Sequence, residues 1–488
     1  MMRLKDALNF LPNARLVGDG ETLFTRVHTD TRSLQPGDLF VALDGDHFNA
    51  QEFLPQAWAN GAACAIATHG LQAAGLAGLE VADARQALRQ LAWCWRKKFD
   101  LPLIAVTGSN GKTTVTQMVA SILHAWQGMS AFATQGNFNN DIGVPLTLLR
   151  LNASHKVGVV ELGMNHPGEI EGLAALVQPH VALVNNAQRE HLEFMHTVEA
   201  VALENGAVIA ALAASGTAIF PADDPFSPLW RKMAGNRRVL TFALAHPGNA
   251  AEAIPAAEFS AVAHWQITSG CYLVKASTPE GAITFSLATP GLHNVKNALA
   301  ACACALAVGV PLPSIAAGLT AFLPVQGRSR IQRLLLANNQ VLSLVDDSYN
   351  ANPDSMQAAI ELLAGLPGPR LLVMGDMGEV GIDGPFFHTQ AGQLAHAKEI
   401  EHFYTFGPLA ALACTAFAEA AKNSESAVDT TISCRHFADM DELNAAVLKK
   451  LTHDKGAEEQ PIQSVLVKGS RFMRCERVVQ AIVRFAKP

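Results

Sequence analysis

Short apolar runs rich in β-branched residues recur along the chain and alternate with segments of helical periodicity. Residues 21–68 contain several such runs separated by Pro-Gly and Asp-Gly turn signals, which predicts a small α/β unit. Residues 84–98 have a helical pattern and lead into Leu101–Val106, a run typical of a strand buried on both faces. A second unit therefore begins near residue 99.

The same alternation continues to the end of the chain. Strand-like runs such as Val157–Val160 and Val181–Val184 alternate with helical segments up to about residue 325, which indicates a mostly parallel sheet covered by helices. After Gly327 the alternation restarts in a Rossmann-like pattern, interrupted by polar stretches at 421–430 and 453–460 that we expect to be surface loops. We therefore predict an α/β protein of three domains, with boundaries at 1–98, 99–325 and 326–488.

The composition agrees with a globular protein of this size. The 488 residues are 49% hydrophobic and 16% charged, which excludes collagen-like and broadly disordered classes. The 36 Lys and Arg residues against 43 Asp and Glu residues give a net charge of −7, which argues against a protein that coats nucleic acid. Anionic ligands must therefore be bound by local groups of positive charge.

No segment indicates export or membrane insertion. Residues 1–6 include charged side chains and no apolar signal core, and the longest apolar run, Ala298–Val310, is too short for a membrane-spanning helix. We therefore expect a cytoplasmic protein.

The eight cysteines show no Cys-x-x-Cys spacing, so we expect buried reduced thiols, with a zinc site less favoured.

A glycine-rich turn joins the buried strand that ends at Val106 to a helical stretch that begins at Val115. Free backbone N–H groups in such a turn, and the positive end of the helix, point at phosphate oxygens. The first glycine of the standard phosphate-loop pattern is replaced by Val106, so this loop is one of the shorter variants. We predict that ATP phosphates bind to Thr107, Gly108, Ser109, Asn110, Gly111, Lys112, Thr113 and Thr114, with Lys112 neutralising them and the Thr113 hydroxyl on Mg²⁺.

Two further polar residues follow strand-like runs beside this loop. Glu161 ends the run Val157–Val160, and His191 follows the run that starts at Val181. The carboxyl ends of neighbouring parallel strands face the nucleotide crevice of a doubly wound sheet. We therefore predict that Glu161 and His191, with Thr113, are ligands of the metal, and that Lys112, Glu161 and His191 are the catalytic residues.

These residues, taken with several later segments, resemble the Mur ligases of peptidoglycan synthesis, which use ATP to join an amino acid or dipeptide to a UDP-sugar peptide. The resemblance spans nearly the whole chain in family order. The segments that carry it are Thr107–Thr114, Glu161–Ile170, His191, His293–Asn297, Gly327-Arg328, Asp346–Pro353 and Lys468–Arg471.

Within the family, Thr134–Pro145, Gly163–Glu169 and Asp346–Asn352 resemble the ligase that adds D-alanyl-D-alanine to UDP-N-acetylmuramoyl-tripeptide. The resemblance implies ATP and Mg²⁺ as cofactors, these two molecules as substrates, an acyl phosphate intermediate, and a third domain that closes over the second near Gly327. We expect a monomer, since a three-domain clamp needs no second copy.

The resemblance also implies roles for individual residues. In the first domain, which it identifies as the UDP-sugar-binding domain, the substrate would contact Thr29, Asp30, Thr31 and Arg32, and in the second, Asn137 and Asn140. The nucleotide would contact His293, Asn294, Asn297, Arg328, Asp347, Asn350 and Asn352, although the asparagines could equally be capping or turn residues. Lys468 and Arg471 are candidates for the dipeptide carboxylate by their chemistry alone.

One departure from the family pattern leaves part of the mechanism open. The family commonly has a carbamylated lysine after the His191 segment, and residues 201–207 contain no lysine. Glu204 or Asn205 could supply the missing oxygen, or the metal could be held without one. The alternatives for the whole chain are a ligase acting one step earlier, a folylpolyglutamate synthase, which shares the fold, and a nucleotide-binding switch with no ligase activity.

Overall fold

The computed structural model describes residues 1–45, 48–244, 256–266, 270–337, 339–423, 432–452 and 460–486. It has three successive α/β units, each built around its own sheet. The fold class is therefore as predicted. The loops predicted at 421–430 and 453–460 lie almost entirely outside the described residues.

The first unit is a small sheet with the strand order β2-β7-β6-β5-β4 and a separate two-stranded pair, β1-β3. Strand β2 runs antiparallel to its neighbour, and the other strands are parallel. Its elements are β1 (Met2–Arg3), α1 (Leu4–Leu8), β2 (Arg15–Val17), β3 (Leu23–Phe24), β4 (Arg26–His28), β5 (Asp38–Val41), α2 (Leu54–Ala59), β6 (Cys64–Ala67), β7 (Gly78–Glu80) and α3 (Ala84–Arg96), with 3-10 turns at Thr31–Ser33 and Ala50–Phe53.

The central unit is a long sheet with the strand order β16-β15-β14-β13-β12-β11-β8-β10-β9. Helix α4 packs with α10 and α11 on one face, and the apolar side chains of α3, α6 and α8 join the core on the other. Its elements are β8 (Leu103–Thr107), α4 (Lys112–Gln127), β9 (Ala131–Ala133), α5 (Gly143–Leu148), β10 (Val157–Glu161), α6 (Glu169–Val177), β11 (Val181–Val184), α7 (Leu192–Met195), α8 (Val198–Ala210), β12 (Thr217–Pro221), α9 (Ser227–Ala234), β13 (Arg238–Leu244), β14 (Phe259–Gln266), β15 (Cys271–Thr278), β16 (Gly281–Leu287), α10 (Leu292–Ala307) and α11 (Leu312–Ala321), with a 3-10 turn at Gly128–Ser130.

The third unit is a Rossmann-like sheet with the strand order β17-β18-β22-β19-β20-β21. All of its neighbouring strands are parallel except the β17-β18 hairpin. Its elements are β17 (Arg330–Leu335), β18 (Val341–Asp347), α12 (Pro353–Ala364), β19 (Arg370–Gly375), α13 (Gly384–Ala397), β20 (His402–Phe406), α14 (Ala410–Asn423), β21 (Ser433–Phe437), α15 (Met440–Leu451), β22 (Ser464–Lys468) and α16 (Glu476–Ala486), with 3-10 turns at Gly381–Asp383 and Arg471–Met473.

The strand orders bring the predicted site residues to one end of each sheet. Strand β8 lies between β10 and β11, with Glu161 in register with Val106 and Val184 in register with Thr107. Polar residues that end or follow these strands therefore surround the loop that follows β8. In the third unit Asp347 is in register with Lys468, so both lie at the carboxyl end of that sheet.

Two expectations about local structure were wrong. The alternation does not continue unbroken to residue 325, because β14, β15 and β16 form an antiparallel extension of the central sheet. The cysteines are not all reduced thiols, since a disulfide joins Cys414 on α14 to Cys434 on β21. Residues 20 apart in sequence come together here because helix and strand are neighbours in the fold, which spacing alone does not reveal.

None of the described helices has both the length and the apolar character needed to cross a membrane.

Candidate active site

A cleft of about 900 Å³ separates the central unit from the third unit, and residues of both line it. Most of the predicted site residues meet in its walls. Those that line it are Ser109, Asn110, Gly111, Lys112, Thr113, Thr114, Asn137, Asn140, Glu161, His191, His293, Asn294, Asn297, Arg328, Asp347, Asn350, Asn352, Lys468 and Arg471. The remaining two residues of the glycine-rich turn, Thr107 and Gly108, lie beneath it.

The loop between β8 and α4 has the backbone shape that its glycines predict. Gly108 and Gly111 have φ values of +132° and +81°, a region that L side chains rarely adopt. A β-carbon at Gly111 would lie 2.6 Å from Asn297 Oδ1. Only glycine fits there, and α4 begins at the next residue with its N–H groups facing the cleft.

A network of amides from the segment after β11 holds this loop in place. Asn186 accepts from the backbone N–H of Asn110 through Oδ1 at 2.8 Å, and Asn185 donates from Nδ2 to the carbonyl of Asn110, also at 2.8 Å. Asn185 also donates to Oδ1 of Asn297 on α10 at 2.9 Å. Asn297 therefore supports the loop from behind as well as lining the cleft.

Lys112 is already engaged by carbonyls and a carboxylate. Its Nζ donates to the Gly108 carbonyl at 2.6 Å, to the Ser109 carbonyl at 3.2 Å and to Glu190 Oε1 at 2.6 Å. Its side chain is 14% exposed. The ammonium group is thus held over the loop by partners that a phosphate group would replace.

Glu161 has the environment of a cation ligand. Its side chain is fully buried, and Oε1 accepts from Thr113 Oγ1 at 3.0 Å and from Asn139 Nδ2 at 2.7 Å. The other oxygen, Oε2, is buried and has no hydrogen-bond partner. A buried carboxylate oxygen without a partner is costly, so this atom and the Thr113 hydroxyl beside it fit a divalent cation.

Among the described residues no three His, Cys, Asp or Glu side chains converge closely enough to hold a metal by themselves. This agrees with magnesium, which usually takes one or two protein oxygens and completes its shell with phosphate oxygens and water.

His191 lies between two carboxylates. Its Nδ1 is 2.6 Å from Glu379 Oε2, and its Nε2 is 3.5 Å from Glu190 Oε1. Burial alone lowers the pKa of His191, but the two carboxylates outweigh burial and raise it to about 9. A metal at Nε2 would have to displace that proton.

The third unit presents a pair of charges that satisfy each other. Lys468 Nζ donates to Asp347 Oδ2 at 2.6 Å and to the Asn350 carbonyl at 2.9 Å, with the lysine side chain 4% exposed. The other oxygen of Asp347 accepts from the backbone N–H of Ser329 at 2.8 Å. The charge of Lys468 is thus taken up within the third unit. Arg471 pairs with Glu476 at 3.5 Å, but its side chain is 64% exposed, so it is the more accessible of the two predicted carboxylate partners.

An aromatic ring separates the two arginines of this wall. The Arg328 guanidinium lies 4.3 Å from the centre of the Tyr349 ring, and that of Arg471 lies 5.6 Å from it. Cation–π attraction of this kind fixes the direction of both side chains. Tyr349 was not predicted as a site residue, although it stands within the Asp346–Pro353 segment.

Other predicted residues on the cleft wall bond mainly to their own neighbours. Asn294 donates to the Pro290 carbonyl at 2.7 Å and to the adjacent His293, and Asn140 accepts from the N–H of Gly143 at the start of α5. Burial lowers the pKa of His293. Asn140 thus satisfies a backbone N–H at the start of α5.

Several polar contacts join the two walls in this conformation. Arg189 donates to both carboxylate oxygens of Asp354, and Asn110 and Asn352 exchange hydrogen bonds through their amides at 3.0 and 3.3 Å. The His191–Glu379 pair also crosses the boundary. The two units are therefore in contact across the phosphate loop, and Asn352 also caps α12 by accepting from Ser355.

The predicted substrate residues of the first unit do not line this cleft. Asp30 and Arg32 pair with each other at 2.7 Å, and the hydrogen bonds from Arg32 lower the pKa of Asp30 to about 2. Thr31 is buried and donates to Gln56, while Thr29 precedes this short turn. These residues form a local surface feature of the first unit.

Glu204 and Asn205 are both occupied by other partners. Glu204 accepts from the N–H groups of Gly168 and Ile170 at the start of α6, and Asn205 accepts from Thr107 Oγ1 at 2.6 Å. Neither residue lines the cleft. Neither therefore supplies the oxygen that the missing lysine would have carried.

Sequence reasoning missed several residues that build the site. These are the partners of the predicted ones: Asn139 on Glu161, Glu190 on Lys112, Glu379 on His191, and the Asn185 and Asn186 pair under the loop. Asn185, Asn186 and Glu190 had a signal, since they follow β11 at the carboxyl end of a strand, and Asn139 lies within the Thr134–Pro145 segment that carries the resemblance.

Two parts of the chain match known protein-family models. Residues 106–305 match the Mur ligase middle domain, and residues 329–471 match the Mur ligase glutamate ligase domain. The UDP-N-acetylmuramoyl-tripeptide--D-alanyl-D-alanine ligase of Escherichia coli strain K12 is 40% identical over 470 residues, which is 96% of each chain.

Solved structures agree with this match. The crystal structure of MurF from Acinetobacter baumannii has a TM-score of 0.84 at 31% identity and covers 99% of this chain and 98% of its own. The MurF ligase of Thermotoga maritima in complex with ADP has the same fold, with a TM-score of 0.76 at 24% identity over 96% of this chain and 99% of its own.

Proposed function

This chain belongs to the Mur ligase family, and we propose that it is the ATP-dependent ligase that joins D-alanyl-D-alanine to UDP-N-acetylmuramoyl-tripeptide and releases ADP and phosphate. The observation that carries the proposal is Glu161, a buried carboxylate with one oxygen bonded to Thr113 of the phosphate loop and the other without a partner. That arrangement suits a nucleotide with its cation at the end of β8.

The first step is the activation of the peptide. A carboxylate is a poor acyl donor, so the terminal carboxylate of the tripeptide attacks the γ-phosphorus of ATP and ADP leaves, giving an acyl phosphate. Lys112 turns from Glu190 to the transferring phosphoryl group and offsets its charge, while the backbone N–H groups at the start of α4 hold the phosphates. No protein nucleophile is required.

Thr113 and Glu161 are the residues that would hold Mg²⁺, and His191 lines the same cleft. When bound, the cation supplies charge neutralisation at the phosphate oxygens. Thr113 remains oriented by its hydrogen bond to Glu161, and Asn139 fixes the carboxylate from the other side. These contacts place the free oxygen of Glu161 before any ligand arrives.

The second step is capture of the acyl group. The free amine of D-alanyl-D-alanine attacks the acyl carbon, phosphate leaves, and the amine loses its extra proton to give the amide. Arg471 lines the cleft, and its exposed guanidinium pairs with the dipeptide carboxylate in place of its 3.5 Å contact with Glu476. Lys468 supports that wall by holding Asp347 and the Asn350 carbonyl.

The third domain closes over the central domain to keep water from the acyl phosphate. Gly327 is bound to the third domain on both sides, because its N–H donates to Asp346 at 3.0 Å and its carbonyl accepts from Tyr349 at 3.1 Å. The pivot therefore lies just before Gly327. In the closed form Arg328 and Asp347 reach the nucleotide, together with His293, Asn294, Asn297 and Asn350.

The first domain takes the UDP-sugar end of the substrate through the turn at Thr29–Arg32, and Asn137 and Asn140 meet the part nearer the reacting carboxylate. The protein acts as a monomer in the cytoplasm, where the nucleotide precursor is made. The proposed reaction needs no nucleic-acid partner and no membrane-spanning segment.

The test is ADP release screened over UDP-sugar peptides crossed with D-alanyl-D-alanine, D-alanine and L-amino acids. We expect release, and a new amide found by mass spectrometry, only with UDP-N-acetylmuramoyl-tripeptide and the dipeptide. Glu161→Gln keeps the shape of the side chain and should lower kcat on the order of 10²-fold at saturating Mg²⁺. Amide formation with an L-amino acid on a shorter peptide, or ADP release that no acceptor stimulates, would overturn the proposal.

A further inference from the structure

Two residues in contact across the domain boundary both have left-handed backbones. His191, just before α7, has φ +50°, and Glu379, in the loop after β19, has φ +59°. Non-glycine residues in this region are uncommon and cost of order 1–3 kcal/mol each, so they persist where the surrounding structure requires them. Here the two backbones bring Nδ1 of one side chain within 2.6 Å of Oε2 of the other, an ion-pair distance, although the direction of the ring N–H does not meet hydrogen-bond geometry in this conformation.

The contact forms only when the third domain lies on the central domain. The Glu379 carbonyl accepts from the N–H of Glu193 at 3.3 Å, and a β-carbon at Gly381 would lie 3.6 Å from Glu193 Cα. Leu192 packs against the apolar core of the third domain. The loop 378–381 therefore follows residues 191–193 closely, and opening the cleft would separate the pair.

The pairing determines which edge of the imidazole faces the phosphate loop. With Nδ1 beside Glu379, the other ring nitrogen, Nε2, lies on the side of Glu190, whose Oε1 is 3.5 Å away. That same oxygen holds Lys112 Nζ at 2.6 Å. One line of contacts thus runs from the third domain to the lysine of the phosphate loop.

We propose that Glu379 is a positioning residue, supplied by the third domain on closure, that fixes the ring of His191 with Nε2 toward the phosphate site. The inference rests on the proposed function. A carboxylate on the far nitrogen of a histidine is the usual means of holding its ring and tautomer for a ligand on the other nitrogen. Because the carboxylate comes from another domain, the site is complete only when the cleft is closed.

A plain interdomain ion pair would give a different result, and the chain contains one for comparison. Arg189 and Asp354 join the same two domains through three hydrogen bonds, from the Arg189 backbone N–H, Nε and Nη2 at 2.8, 3.1 and 2.8 Å, and neither residue is paired with His191. Asp354→Asn therefore weakens closure without altering the imidazole. It is the matched control for Glu379→Ala.

The experiment is a pair of double-mutant cycles on the full chain, with His191→Ala as the second variant in each. We expect Glu379→Ala to lower kcat by roughly tenfold or more, and Glu379→Gln to lose less because its amide oxygen keeps a polar contact beside Nδ1. In the His191→Ala background, Glu379→Ala should cost less than a further ~2-fold, whereas Asp354→Asn should cost the same factor in both backgrounds. An equal loss from Glu379→Ala in both backgrounds would overturn the proposal.

Two readouts besides turnover complete the test. Calorimetric titration with ADP and Mg²⁺ should show weaker binding for Glu379→Ala than for Asp354→Asn, and ¹⁵N spectra of histidine-labelled protein should show the His191 ring shifts change in Glu379→Ala alone. Unchanged ring shifts would count against the positioning role. A wild-type protein that makes no amide refutes the proposed function instead, and the binding and ring measurements do not depend on that result.

Discussion

The two walls of the cleft differ in how fully their charged groups are paired. On the central wall, Glu161 and Glu190 each keep one buried carboxylate oxygen without a partner. On the third-domain wall, both oxygens of Asp347 and the ammonium of Lys468 are engaged with each other or with backbone groups. Since unpaired buried polar atoms are costly, the first wall is built for a ligand and the second is a rigid surface that is brought to it.

Two lysines show the same difference. Lys112 and Lys468 each lie 2.6 Å from a carboxylate oxygen, yet Lys112 stands on a glycine-rich loop facing open space and Lys468 ends a central strand. Distance to a carboxylate therefore does not distinguish a lysine on the phosphate loop from one at the end of a buried strand. The comparison can be tested at four positions.

The largest effect is expected at Lys112. Lys112→Ala removes the cation that offsets charge on the transferring phosphoryl group, so kcat should fall on the order of 10³-fold. ADP release measured at saturating substrates checks this. Lys156→Ala, an exposed lysine of the same domain, is the control and should keep full activity, and a Lys112→Ala enzyme with wild-type turnover would refute the assigned role.

Next comes Lys468, where the effect should be on stability. Lys468→Met leaves Asp347 without its cation in a site that is almost fully buried, so the free energy of unfolding should fall by about 3 kcal/mol. Urea unfolding measures it. Lys296→Met breaks a pair with Asp223 that is about 30% exposed and should cost less than ~1 kcal/mol; equal losses for the two variants would contradict the contrast between the walls.

A smaller effect on substrate affinity is expected at Arg471. Loss of a charge-assisted hydrogen bond to the dipeptide should raise the KM for D-alanyl-D-alanine by about tenfold in Arg471→Ala, with the KM for ATP little changed. Steady-state kinetics with each substrate varied in turn separates the two. Arg474→Ala removes a nearby exposed arginine and should alter neither value.

The smallest effect is expected at Arg32 in the first domain. Its pairing with Asp30 is local and exposed, so Arg32→Ala should leave the unfolding midpoint unchanged while raising the KM for the UDP-sugar peptide severalfold. Arg26→Ala is the comparison, because Arg26 makes two hydrogen bonds to the buried Asp38 and its loss should lower the midpoint. An unchanged KM in Arg32→Ala would remove this turn from the substrate site.

Much of the fold and the family could be predicted from the sequence. The resemblance to Mur ligases and the three-domain α/β class are confirmed, because buried strands, helical periodicity and the glycine-rich turn each leave a local pattern. The antiparallel β14–β16 extension and the Cys414–Cys434 disulfide were missed, since their partners are chosen by the arrangement of neighbouring elements. The substrate roles of Thr29–Arg32 and Arg471 remain predictions.

By itself the sequence determined where a phosphate loop lies and which residues at strand ends face it, because a strand, a glycine turn and a helix in that order have one local geometry. Only the tertiary structure decided which of the charged residues are left free. The pairings of Lys112 with Glu190, of Lys468 with Asp347 and of His191 with Glu379 join residues far apart in the chain or in different domains. Such pairs depend on how the sheets and domains pack, and no local pattern records them.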